Sequence, residues 1–288
     1  MREKITGPIR QPVVAGQFYA GTETELLQEI EAAYLSDRGP GRLPKVDPDG
    51  PRQILGLICP HAGYVYSGAV AATAYLALAA DGVPEVVVII GPSHRLGGFW
   101  AGIQSAGAWH TPLGEAQIDA EVARDLLALL PELVDDVRVF SYEHSLEVQV
   151  PLLQHLYGER LRIVPLLMVE SGAPDARRLG EALAQVLTER NAVIVASTDM
   201  THQRPAETAR GQDLALAEYI RNLDAEGLLQ ERARRNISMC GYGPTAAMLI
   251  AAQQLGATGA EILAYHHSGE VAPMPEVVGY LAAEVVRS

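Results

Sequence analysis

Four short polar motifs carry most of the reactive side chains in this chain, and each adjoins an apolar run or a helix start. Cys59-Pro60-His61-Ala62-Gly63-Tyr64 follows residues 54–58, and Gly91-Pro92-Ser93-His94 follows residues 86–90. Ser197-Thr198-Asp199-Met200-Thr201-His202 follows residues 193–196. Met239-Cys240-Gly241-Tyr242-Gly243 leads into a segment that opens at Pro244. Imidazole is a common metal ligand and carries protons near neutral pH, so convergence of His61, His94 and His202 points first to a metal site. One histidine after a strand is more often a loop residue bonded to backbone. Three at three strand ends are harder to explain that way.

Cys240 fits the same site. It precedes two glycines and a helix start, where the helix dipole and free N–H groups favour the thiolate, the form that binds metals. Cys59 closes an apolar run and reads as a small buried hydrophobe. Asp199 lies three residues before His202 and is a candidate partner for it or for the metal. Glu143-His144-Ser145-Leu146-Glu147 is a fifth motif, with Ser145 as a cap for the helix that follows. If that helix starts early, His144 and Glu147 share a face and can support a metal site; a capped surface helix is the plain alternative. Tyr64 and Ser93 stand beside the histidines in their motifs and are further candidates for supporting the site or touching substrate. No GxSxG elbow surrounds Ser93, and neither GxxxxGK[ST] nor a strand-linked GxGxxG is present.

For these motifs to meet, the chain needs strands whose ends share an edge. Apolar, β-branched runs at residues 54–59, 85–90, 162–167, 192–196 and 261–265 are continuous rather than alternating, as in strands buried on both faces. Helical patterns occupy residues 22–34, 69–80, 119–130, 174–189, 206–223 and 244–255, and residues 99–105 suit an extra antiparallel strand. Alternation of strand and helix predicts an α/β fold, one domain over residues 1–288, with a largely parallel central sheet flanked by helices. In such a sheet the C-terminal strand ends open onto one rim, where ligands bind.

Composition narrows the function. The 288 residues are 48% hydrophobic and 20% charged, enough for a large core and too apolar for disorder. A formal net charge of −13 argues against nucleic acid as a partner. The local exception is Arg232, Arg234 and Arg235, better read as a solvated helix face. Without an apolar stretch of membrane-spanning length or a secretory signal, and with two cysteines, the expected location is the cytoplasm, away from membranes.

In order along the chain, RQPVVAGQFY, CPHAGYVYSG, GPSH, TPLGEAQID, EHSLEVQVPLLQ, STDMTH and CGYGP resemble the Memo family, also described as protein B of the AmmeMemoRadiSam set. The resemblance implies a fold like that of the class III extradiol dioxygenases, non-haem Fe(II) enzymes with two histidines and a carboxylate on the metal. It places His61 and His94 at the two histidine positions and Cys240 at that of the carboxylate. His202 takes the position of the acid/base histidine, with Asp199 beside it. The resemblance puts Fe(II) first; thiolate in place of carboxylate softens the site, which makes Cu or Zn alternatives and argues against catechol cleavage. Implied partners are an AMMECR-type protein, a radical SAM enzyme or a peptide. Three functions stay open: a metal-dependent redox enzyme or oxygenase, a partner-binding module with a vestigial pocket, and a metal-handling protein.

Overall fold

Four of the five apolar runs form the middle of one mixed sheet. The computed structural model describes residues 5–95, 97–169 and 172–288. The first four residues of the stretch read for a secretory signal lie outside the described residues.

In chain order the elements are β1 (Ile9–Arg10), α1 (Glu23–Leu35), β2 (Ile54–Cys59), α2 (Tyr64–Asp81), β3 (Val86–Pro92), β4 (Ala101–Ile103), β5 (Ala108–Thr111) and β6 (Gly114–Ile118). Then come α3 (Ala120–Leu129), β7 (Val134–Asp135), α4 (Gln149–Tyr157), β8 (Arg162–Met168), α5 (Ala173–Leu187) and β9 (Ala192–Ser197). The chain ends with β10 (His202–Arg204), α6 (Ala206–Arg221), α7 (Ala225–Arg235), α8 (Tyr242–Gln254), β11 (Gly259–His267) and β12 (Val277–Val286).

Strands β6, β8, β3, β9 and β2 lie side by side and parallel, so the α/β fold with a mostly parallel centre is as expected. Their residues alternate between two cores. Ile58, Val88, Ile90 and Ile194 face the side covered by α3 and α5–α8, while Leu57, Val87, Ile89 and Val195 face the side covered by α1, α2 and α4. That explains runs with no polar alternation: each strand has two apolar faces.

Three readings change. β12 is a ten-residue antiparallel strand between β2 and β11, and sequence reasoning named no strand there. β11 is longer than residues 261–265, antiparallel and mostly half-buried, because among the described residues it pairs only with β12. Ser145 does not cap a helix; α4 starts at Gln149 after a run of turns. The α7 arginines do make a helix face: Arg234 and Arg235 pair with Glu231, and Arg232 lies 4.1 Å from the Tyr242 ring centre. Among the described residues, no helix is long and apolar enough to cross a membrane.

Candidate metal centre

β9 lies between β3 and β2, so the loops leaving these three strands emerge next to one another. The first carries His61, in the turn between β2 and α2. The second carries His94, two residues beyond β3. The third carries Asp199, between β9 and β10. Cys240 comes from another direction, on the loop into α8. Gly241 lets that loop approach closely, since a Cβ there would meet the Ser197 carbonyl oxygen at 2.4 Å.

His61, His94 and Cys240 present one ligand atom each, all within 4.8 Å of one another. Cys240 Sγ is 3.1 Å from His61 Nε2, and the His61 and His94 ring centres are 5.3 Å apart.

Hydrogen bonding fixes the imidazole tautomers. Ser197 Oγ donates its only proton to the Ser145 carbonyl oxygen, 2.6 Å away. It can therefore only accept at His61 Nδ1, 3.0 Å away, so Nδ1 holds the proton and Nε2 keeps its lone pair. Gln149 Nε2 donates to the same hydroxyl at 2.8 Å and to the Pro60 carbonyl at 2.9 Å, closing the network. His94 Nδ1 donates to Glu143 Oε1 at 2.9 Å, which frees His94 Nε2 in the same way. This is the outer support that metal-binding histidines commonly have.

Glu143 is the residue that sequence reasoning missed in favour of its neighbours. Its carboxylate also accepts N–H bonds from His94 at 2.7 Å and from His144 and Ser145 at 2.8 Å each. Burial alone would raise its pKa, but the bonds from His94 and these amides outweigh that and hold it at about 2. Glu143, His94 and His144 also lie close enough to suggest a second ion site. With so many N–H donors on its oxygens, Glu143 orients His94 instead.

His144 joins the cluster, its ring 4.6 Å from that of His94 and 5.6 Å from that of His61. Burial lowers its pKa to about 4, and burial together with neighbouring imidazoles keeps that of His61 well below the usual value. Both are neutral at pH 7, the state in which imidazole binds metals.

Other candidates have different surroundings. Glu147 does not share a face with His144; its carboxylate takes the Val13 and Val14 amides, the Tyr19 hydroxyl and Arg10. Tyr64 turns its hydroxyl away, to the Val148 carbonyl at 2.6 Å. The Ser93 amide donates to the Met168 carbonyl at 2.9 Å, continuing the strand pairing past β3. His202 Nδ1 donates to the Ser238 carbonyl at 2.9 Å, leaving Nε2 as an acceptor. Asp199 Oδ1 accepts the His61 amide at 2.7 Å, and burial raises the Asp199 pKa to about 6.

Expectation and structure part at the Cys240 thiol. Burial, and then the Asp199 charge, push its pKa up, against the helix-start argument for thiolate. With no metal bound it is a thiol at pH 7. Cys59 is fully buried and its pKa is pushed up to about 12 by desolvation, whereas Cys240 is partly exposed. Alkylation of metal-free protein should therefore still reach Cys240 well before Cys59, by access rather than thiolate character. The Cys240 rate should keep rising at pH values where an ordinary thiol has levelled off. Mass mapping of labelled peptides across pH reads both; faster labelling of Cys59 would contradict the placement.

Nearly the whole chain is similar to known proteins. A sequence model of the Memo-like protein family matches residues 10–284. This chain belongs to the Memo-like family. A MEMO1 family protein of Methanopyrus kandleri is 45% identical over 276 residues, covering 95% of this chain and 97% of that protein. Another, from Pyrobaculum aerophilum, is 41% identical over 94% of this Memo-like chain and 97% of its own length. A solved structure of an uncharacterized Escherichia coli K12 protein superposes with a TM-score of 0.52 at 14% identity, over 81% of this chain and 100% of that one. At that identity the likeness concerns the fold alone.

Proposed function

We propose that this Memo-like protein binds one transition-metal ion through His61 Nε2, His94 Nε2 and Cys240 Sγ and acts as a metal-dependent redox enzyme. The observation that carries this reading is the enforced tautomer pair: Ser197 and Glu143 leave both Nε2 lone pairs beside the sulfur. Two imidazoles and a thiol, which becomes thiolate on binding, form a donor set that Fe(II), Cu(I) and Zn(II) can each use. A bound ion of this kind supplies Lewis acidity, electron transfer or a site for dioxygen.

The chain's own groups do the rest. His202 Nε2 is the proposed proton acceptor, since its Nδ1 proton is tied to Ser238. Asp199 holds the His61 backbone in place. Partial exposure of His94, His144 and Cys240 leaves one side of the centre open to a small molecule.

Metal-stripped protein titrated under nitrogen with Fe(II), Cu(I) and Zn(II) should take up one ion per chain, with a thiolate charge-transfer band for the open-shell ion. Absence of such uptake would return the chain to the partner- or peptide-binding reading. Because Cys240 starts as a thiol, each bound ion should release a proton. Affinity should fall about tenfold per pH unit on acidification from neutrality. Titration in weak buffer with a pH indicator measures this directly, and a pH-independent affinity would exclude the sulfur as a ligand.

A further inference from the structure

We propose that Arg10, far from the metal centre in sequence, is a positioning residue for His94, acting through Glu143. This rests on the metal reading above.

Arg10 is the last residue of β1 and only 3% exposed. Its register partner in β5 is Trp109, and its guanidinium lies 4.4 Å from the Trp109 ring centre. From there the planar group forks. Nη1 pairs with the buried Glu147 carboxylate. Nη2 donates to the Glu143 carbonyl at 2.6 Å and to the Phe140 carbonyl at 3.0 Å. The fork thus grips both ends of the segment that carries Glu143 and His144.

Glu143 sits between Arg10 and the ligand. Its backbone carbonyl is held by Arg10, and its side chain holds both the Nδ1 and the amide of His94. Phe18, on the same N-terminal stretch, packs its ring 4.8 Å from that of His144 and accepts the Tyr64 amide at 2.7 Å, just beyond the His61 turn. A cation buried this completely is costly unless paired and hydrogen-bonded, and here both its pairing and its hydrogen bonds serve one loop. Lysine carries the charge but has no planar fork, so it cannot hold Glu147 and both carbonyls in the same geometry.

Co(II) is the probe, since its visible spectrum reports ligand geometry as well as occupancy. Arg10→Lys and Glu147→Gln should remain folded, bind one Co(II) with at least about tenfold weaker affinity, and shift and weaken the d–d bands. Tyr19→Phe removes a different hydrogen bond to Glu147 and should lower Tm while leaving Co(II) affinity within about twofold. If Arg10→Lys does not fold, Glu147→Gln and Tyr19→Phe decide the matter. Wild-type affinity and spectrum in a folded Arg10→Lys or Glu147→Gln variant would overturn the proposal. An equal loss in Tyr19→Phe would do so too, because the effect would then be general loosening. Wild-type protein that takes up no Co(II) would remove the metal reading itself, an outcome distinct from a variant that binds normally.

Discussion

Glu143→Gln will weaken metal binding by about ten- to a hundredfold and destabilise the metal-free fold as well. An amide has one acceptor oxygen where the carboxylate has two, and Glu143 takes N–H donors on both. Whichever way the amide turns, its NH2 meets an N–H. If that group is His94 Nδ1, the ring proton is driven to Nε2 and the ligand lone pair is lost. The carboxylate also contributes through its own titration. Its pKa falls from an ordinary 4.5 to about 2, so it stabilises the fold above the unfolded value, and that stability is lost as pH drops through the folded one. A shift of this size is worth about 3 kcal/mol. Urea unfolding at neutral pH should show that loss in Glu143→Gln, and the wild type should lose stability more steeply than the variant between about pH 5 and pH 2. Matching acid limbs, or metal affinity within a factor of three or so, would mean that Glu143 does not orient His94.

The second large effect concerns the ligands. His61→Ala, His94→Ala and Cys240→Ser should each weaken Fe(II) or Cu(I) binding by at least about tenfold, or roughly 1.4 kcal/mol. The loss for Cu(I) should be greatest in Cys240→Ser, since a hydroxyl is a hard, weakly acidic replacement for a soft thiolate. His155→Ala is the control: its ring packs on Tyr34, 5.6 Å between centres, and its loss should cost stability without touching affinity. Calorimetric titration under nitrogen reads both. Unchanged affinity in the two histidine variants would place the ion elsewhere.

Asp199→Asn offers a further check on the electrostatics. Removing a carboxylate whose pKa burial has raised to about 6 should lower the Cys240 pKa, because the Asp199 charge opposes the thiolate. The measured quantity is the pH profile of Cys240 alkylation, which should move to lower pH; a profile that stays in place would show that desolvation alone sets the thiol.

The Cys–Pro–His, Pro–Ser–His and Ser–Thr–Asp motifs could be brought together from sequence because their positions obey a general rule. Each follows a doubly buried strand, and parallel strands present their ends on one rim. The adjacency of β3, β9 and β2 then makes His61 and His94 neighbours. Other features have no local signal. β12 pairs with strands from both ends of the chain, and its pattern is that of any short apolar run. Glu143 and Glu147 sit in one motif, as similar carboxylates, yet one reaches His94 and the other Arg10. Which does which depends on where the turns between Phe140 and Gln149 place them. The Cys240 position before α8 argued for thiolate, but a helix start is a weak field compared with desolvation and a buried carboxylate. Residue types and strand ends, which are local, determined where the reactive groups gather. Tautomers, protonation states and the Arg10 support belong to the tertiary structure, because each is set by partners brought together only by folding.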